Sequence, residues 1–393
     1  MNPLARPERS VYEAAVVLNV ILGALAFLSF GLTLWQWLVA RRFPLHSRIS
    51  AGSFSPAVTL LKPLKGLDTT TEDCLRSWFT QQYPGPVQLL LGVSSETDPV
   101  YVTVRKLLAE FPACDARLIL CGPPSGLNPK AAKLAELERL AKHDLIITSD
   151  ADVRVPPDFV LNVVAPLADS RNGLVTCFYQ LANPTTTAMR WEAIAINADF
   201  WSQVLQARSL KPLDFALGAV MTARRPQLQE IGGFDALANF LADDYQLGNR
   251  LSRKGYRIVL CPVPVECWSA PMNWAQVWKH QLRWARTVRV SQPLPYFFSI
   301  LNNAVLWPVL WVAANPSLPV LALSLGCCLV RVVVASNLQL RLTWSRTHFG
   351  FWWLVPLKDL LQVGIWLFAF TGNQIEWGGQ KMTLRRDGTL LKS

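Results

Sequence analysis

The sequence predicts an α/β domain built on a mostly parallel sheet flanked by helices, with transmembrane helices at its N- and C-terminal sides. Three observations predict it. Residues 14–40 contain no charged side chain. Between about 55 and 265, short β-rich runs alternate with helical patterns, as in parallel sheets covered by helices. From residue 296 the chain turns apolar again.

The first apolar run exceeds the ~20 residues that a helix needs to cross a bilayer. A signal peptide would be shorter and end in a small-residue cleavage site, so the run reads as an anchor. Arg41, Arg42, Arg48, Lys62 and Lys65 follow it, which puts the next domain in the cytoplasm by the positive-inside rule. Composition agrees with a membrane protein: 51% of the 393 residues are hydrophobic, and the 16 Trp suit a membrane–water interface. The net charge of +11 favours anionic partners such as nucleotide diphosphates and acidic lipid headgroups. Nucleic acid is set aside, because no zinc finger, helix-turn-helix or RNA-binding signature occurs. The eight cysteines form no CxxC pair and have mostly apolar neighbours, so they read as buried reduced thiols in a reducing compartment.

Within the middle domain the expected strands are 57–62, 87–93, 117–121, 144–149 and 173–179, with helices near 70–82, 99–111 and 129–142. Ligands bind such sheets beyond the carboxyl ends of the strands. Lys62-Pro63-Leu64-Lys65-Gly66 ends the first run, Ser94-Ser95-Glu96-Thr97-Asp98 follows the second, and Asp150-Ala151-Asp152 follows 144–149. Lysines and carboxylates from three strand ends therefore converge on one crevice. No GxGxxG or GxxxxGK[ST] loop occurs, which argues against a dinucleotide fold and a P-loop.

Asp150 and Asp152, spaced i, i+2 beyond a buried strand, can reach a hard cation and a ribose together. Mg²⁺ or Mn²⁺ held by one or two carboxylates, with a diphosphate completing the shell, is the arrangement this predicts. Asp243-Asp244 lies in an apolar helical setting, where two acids must offset their desolvation. One of them is a candidate general base; the alternative is a helix cap. His280-Gln281-Leu282-Arg283-Trp284 sits in an interfacial amphipathic helix, with Lys279, Arg283 and Arg286 near one face. Arg283 is a candidate diphosphate contact there, and Trp284 a candidate wall of an acceptor pocket.

Beyond that helix, 296–314 and 317–336 are candidate spans separated by Asn315 and Pro316. Arg331, inside the second, is expected to snorkel or to face other protein. The stretch 350–371 is interrupted by Pro356, Lys358 and Asp359, so it reads as a kinked span or a re-entrant element. Lys381, Arg385, Arg386 and Lys392 argue for a tail on the cytoplasmic side, which requires that one of the three stretches does not cross fully. The expected boundaries are an anchor over 14–40, the α/β domain over 50–270, the interfacial helix over 271–294, a membrane region over 295–371 and a basic tail over 372–393.

The ordered set Asp98, Asp150, Asp244 and Arg283-Trp284 resembles the D, D, D, (Q/R)xxRW signature of processive and lipid-directed GT-A glycosyltransferases. The chain is most similar to the ceramide glucosyltransferase family, which includes bacterial hopanoid-linked sugar transferases. Lys62-Pro63-Leu64-Lys65-Gly66, Gly126-Leu127-Asn128-Pro129-Lys130 and Gly232-Gly233-Phe234 match as well, and the likeness covers roughly residues 15–335. The resemblance implies a GT-A Rossmann-like fold and a membrane-bound inverting transfer from a UDP-sugar to a lipid alcohol, ceramide or hopanoid-like. Glucose is the first donor sugar to expect and N-acetylglucosamine the second.

Residue by residue, the resemblance implies that Asp98 binds the uracil or ribose and Asp150 the donor nucleotide. Asp152 would bind the metal, and Asp244 would be the base. Arg283 and Trp284 would hold the diphosphate and the acceptor site, and Lys130 would meet the nucleotide with Lys62 and Lys65. The motif departs from the family at one place. His280 stands where Gln or Arg is expected, and Gln281 comes one position late; either can fill the role beside Asp243 and Trp284 at the acceptor. A bacterial inner membrane with a cytoplasmic catalytic domain is the expected location. Two rival readings are a processive polysaccharide synthase, which needs more spans, and a non-enzymatic membrane scaffold, which would not need the carboxylates.

Overall fold

A computed structural model describes residues 5–49, 54–377 and 379–392; the expected domain start at residue 50 lies outside them. The chain divides into an α/β unit (Phe43–Thr186, Ala207–Asn273, Asn373–Ser393) and a helical unit that takes the chain up to Arg42, Thr187–Gln206 and Trp274–Gly372.

The α/β unit holds an eight-stranded sheet. Its strands are β1 (Val58–Pro63), β2 (Val87–Val93), β3 (Asp115–Leu120), β4 (Leu145–Ser149), β5 (Val153–Arg154), β6 (Asn172–Leu181), β7 (Val220–Arg224) and β8 (Arg257–Cys267). The order is β3-β2-β1-β4-β7-β6-β8-β5. The first four are parallel, β7 runs antiparallel to both β4 and β6, and β6 pairs parallel with β8. The sheet is thus mixed around its parallel half. β1 and β4 are buried along their whole length, which is why they read as unbroken apolar runs. Parallel register aligns the ends of β1, β2 and β4, with Pro63 opposite Gly92 and Leu61 opposite Thr148. The loops that follow them share one edge of the sheet.

Five expected strands and three expected helices form within a few residues of their predicted limits; the helices are Thr71–Phe79, Val100–Glu110 and Pro129–Arg139. The sequence pattern missed β5, β7 and β8. β5 has two residues, and Pro262 and Pro264 disguise β8, whose Pro262 carbonyl accepts from His46 N at 2.8 Å.

The basic tail is ordered structure. β9 (Gln374–Trp377), β10 (Gln380–Leu384) and β11 (Leu390–Lys392) form an antiparallel sheet. Ile375, Met382, Leu384 and Leu390 are buried, while Lys381, Arg385, Arg386 and Lys392 face solvent. Leu390 N donates to Asn239 O at 2.8 Å, and Thr389 bridges Phe240.

In the helical unit, Tyr12–Arg42 and Leu318–Thr343 are long and apolar enough to cross a membrane. Exposed Val16, Val17, Val20, Phe27, Leu325 and Val333 on these helices need an apolar solvent. The expected span 296–314 falls on a bent pair, Pro293–Asn302 and Leu306–Ala314, at 56°, a broken span or a re-entrant loop. Asn303 makes the break, because its Oδ1 accepts from Leu306 N at 2.9 Å and starts a new helix. The third stretch forms the helix Leu354–Phe370.

Arg331 faces protein. Its guanidinium bonds Asp359 at 2.8 Å and Asp199 at 2.9 Å, and Lys358 also pairs with Asp199. All four are buried, and the two positive and two negative charges balance. Asp199 sits in a π-helical turn, Ala195–Phe200, of the kind that often marks function.

Candidate active site

The acids of the α/β unit are placed by its strand ends. Asp150 leaves β4, and its N–H donates to Ala219 O at 3.2 Å. Asp152 lies just before β5, and its carbonyl accepts from Trp268 N at 3.0 Å. The loop is therefore pinned from both sides. Lys62 is fully buried in β1 and donates to the Asp150 carbonyl at 2.6 Å. Burial pushes its pKa down to about 8. This lysine braces the acidic loop from behind, whereas Lys65 is exposed.

Asp98 ties two of the loops together. Its Oδ1 accepts from Gly66 N at 2.9 Å, so the end of β2 holds the Lys62–Gly66 loop after β1. Gly66 has φ +72, which suits glycine in the left-handed region. Lys133, also buried at this edge, donates to the Leu64 carbonyl.

The Gly126–Lys130 segment brings in the second acidic pair. Asn128 Oδ1 accepts from Ala131 N at 2.9 Å and caps the helix that begins at Pro129. The same side chain donates through Nδ2 to Phe240 O at 2.8 Å. A Cβ at Gly126 would lie 2.3 Å from Ala238 O, so only glycine allows this approach. The segment thereby fixes the chain three residues before Asp243. Lys130, in the first turn of the helix, bonds Asp150 Oδ1 at 2.7 Å and lies 3.5 Å from Asp243 Oδ2. Burial works against its charge, but Asp150 and Asp243 hold its pKa well above the ordinary lysine value.

Asp243 and Asp244 occupy the first turn of the helix Asp243–Arg253, where the helix dipole favours negative charge; neither is its cap. Asp243 is buried, and its Oδ2 makes no hydrogen bond. Burial, then repulsion from Asp243, push Asp244 up to about 6. Asp152 is also pushed up to about 6, by the protein packed around it and by Asp150. Its side chain still reaches solvent.

The residues fit a divalent cation. Asp150 and Asp152 repel each other, and the buried Asp243 Oδ2 makes no hydrogen bond and has Lys130 at 3.5 Å. The oxygen ligand set suits Mg²⁺ or Mn²⁺. Among the described residues no group of three or more His, Cys, Asp and Glu gathers as a ligand set.

His280, Gln281, Arg283 and Trp284 lie on the helix Trp274–Ser291 of the helical unit. His280 Nδ1 and Gln281 Nε2 both meet Glu192 Oε1, at 2.6 and 2.8 Å. The His280 and Trp284 rings are 4.5 Å apart, and Phe200 lies 6.4 Å from Trp284. His280 and Gln281 therefore share one partner.

Two residues here escaped the sequence reading. A Cβ at Gly218 would come within 2.8 Å of Asp244 Oδ2, so this glycine makes room for the carboxylate. Glu192 is 1% exposed. The signal for Glu192 was available: an acid inside the otherwise apolar stretch from Trp191 to Ile196 must have a buried partner.

A mixed sheet with acids at the ends of its parallel strands is the architecture of GT-A glycosyltransferases. The fold overlays a mannosyltransferase from Pyrobaculum calidifontis, solved with GDP-Man and Mn²⁺. The TM-score is 0.52 at 22% identity, over 88% of this chain and 99% of that one. The family model for glycosyl transferase family 21 matches residues 20–390, and the chain belongs to that family. Ceramide glucosyltransferase 3 of Caenorhabditis elegans is 25% identical over 262 residues, which cover 66% of this chain and 56% of that protein. A ceramide glucosyltransferase of Gibberella zeae is 32% identical over 139 residues, 33% of this chain and 26% of the relative. The chain thus spans about half the length of the Caenorhabditis elegans relative.

Proposed function

We propose that this chain transfers a sugar from a UDP-sugar to the hydroxyl of a membrane lipid, with inversion at the anomeric carbon. Glucose is the donor sugar and a ceramide-like alcohol the acceptor. The observation that carries the reading is Asp244. It is a carboxylate in the first turn of its helix, next to buried Asp243, in the room left by Gly218 and in the same unit as the Lys130–Asp150 pair, and burial pushes it up to about 6.

A carboxylate of that pKa is ionised at neutral pH and still basic enough to accept a proton. Asp244 takes the proton of the lipid hydroxyl as its oxygen attacks the anomeric carbon. The new C–O bond forms as the bond from that carbon to the diphosphate breaks, and UDP leaves with the electron pair. Lys130 holds positive charge at the Asp150–Asp243 edge. Asp98 and the loops that it ties serve the nucleotide. Arg283 steadies the departing diphosphate and Trp284 lines the acceptor site, roles that follow from the motif order. Asp150 and Asp152 would hold Mg²⁺ or Mn²⁺, which when bound offsets the charge developing on the leaving UDP.

The long apolar helix ending at Arg41 and Arg42 supports an inner-membrane location with the α/β unit on the cytoplasmic side. Lipid profiling by mass spectrometry of cells with and without the gene tests the reading. A hexosylated lipid that vanishes with the gene supports it. An unchanged glycolipid profile, with a lost polymer instead, would replace it with polysaccharide synthesis.

A further inference from the structure

We infer that Glu192 is a positioning residue that fixes His280 as a hydrogen-bond acceptor for the hydroxyl-bearing headgroup of the lipid. This rests on the reading above, in which a lipid alcohol is the second substrate.

The assignment of protons follows from the partners. Gln281 Nε2 can only donate, so Glu192 Oε1 accepts from it at 2.8 Å. His280 Nδ1, 2.6 Å from the same oxygen, is then self-consistent as a second N–H donor. In the neutral ring this leaves the lone pair on Nε2. A carboxylate that orients a histidine through Nδ1 sets its tautomer and ring plane together.

Burial makes the arrangement costly unless it is used. Glu192 is 1% exposed, and its Oε2 is a buried oxygen without a hydrogen bond. An acid held this way costs more than a neutral side chain would at the same place. The His280 side chain, by contrast, is 28% exposed, and its ring lies against Trp284. The imidazole is thus fixed from the protein side by Glu192, flanked by an apolar ring and still accessible. An amphipathic lipid presents that combination in reverse: an apolar body beside hydroxyl donors. One N···H–O bond and one ring contact would select it.

The test uses the full-length chain in mixed micelles, with UDP-glucose and ceramide as probes. It compares wild type with Glu192→Gln, His280→Asn, His280→Gln and the double variant Glu192→Gln/His280→Asn. Asn keeps a donor near the Nδ1 position, whereas Gln extends an amide toward Nε2. We expect His280→Asn to raise the KM for ceramide about tenfold, the value of one lost hydrogen bond. The KM for UDP-glucose should stay within about twofold, and His280→Gln should recover part of the ceramide KM. The double variant should be no worse than His280→Asn alone, because Glu192 acts through His280.

Equal changes in both KM values, or additive effects in the double variant, would reduce Glu192 to a structural role and overturn the inference. If Glu192→Gln does not bind UDP-glucose as a folded protein, Glu192→Asp, which keeps a carboxylate but withdraws it from Nδ1, takes its place in the same comparison. If wild type glucosylates no lipid alcohol, the functional reading fails and the inference falls with it. If wild type is active and the variants leave the ceramide KM unchanged, only the inference fails.

Discussion

Asp244 depends on its neighbours more than on its own chemistry. Burial and the adjacent acid keep its carboxyl ready to take a proton near neutral pH, and Gly218 leaves the space that it occupies. Two outcomes follow at this scale. Asp244→Asn should lose at least about a thousandfold in transfer rate while UDP-sugar affinity changes little, as a base variant does. Measured kcat should fall as pH drops through about 6, because the protonated carboxyl cannot accept the hydroxyl proton. Stability moves the other way. The folded pKa of about 6 lies above the ordinary 3.8, so the group costs stability increasingly as pH rises from 3.8 to 6 and fully above that. Asp244→Asn should therefore melt a few degrees higher than wild type at pH 8, by calorimetry in the same detergent. A variant that melts lower would show that the carboxylate is stabilising.

At the scale of elements, the Gly126–Lys130 segment links the two acidic sites. Asn128 caps its own helix and holds Phe240, and Lys130 then reaches Asp150 and Asp243. Asn128→Ala removes a cap worth about 1 kcal/mol and frees the chain before Asp243. Thermal unfolding should show a drop of several degrees, and transfer should slow even though no reacting group is lost. Most of this layout could be read from the sequence, because parallel strands buried on both faces give apolar runs whose ends are easy to find. Asp98, Asp150 and Asp152 stand at such ends. What could not be read has physical causes. β7 and β8 carry weaker patterns, with prolines in β8, and the tail sheet consists of short strands among charged residues. Glu192 lay in a stretch whose partner is 88 residues away in sequence, so no local spacing revealed the pair. The bend at Asn303 was not legible, because hydropathy does not record a side chain that starts a new helix.

At the scale of the whole molecule, the tail constrains the membrane topology. The chain leaves the α/β unit at Asn273 and returns to it at Asn373, where β9–β11 pack beside Asn239–Leu241. An even number of full crossings must lie between. We expect cysteines placed at Lys65 and Lys381, in a chain whose native cysteines are replaced, to be labelled from the same face of sealed vesicles. Labelling from opposite faces would break this topology. The central claim is sugar transfer to a lipid with Asp244 as the base, and one measurement addresses it most directly. Purified wild type and Asp244→Asn are each given labelled UDP-glucose, ceramide and Mn²⁺, and the label in extracted lipid is followed alongside UDP-glucose binding. The account predicts a labelled hexosyl lipid with wild type only, and donor binding with both. Labelled lipid from Asp244→Asn at the wild-type rate, or none from wild type across ceramide, hopanoid and diacylglycerol acceptors, would contradict it.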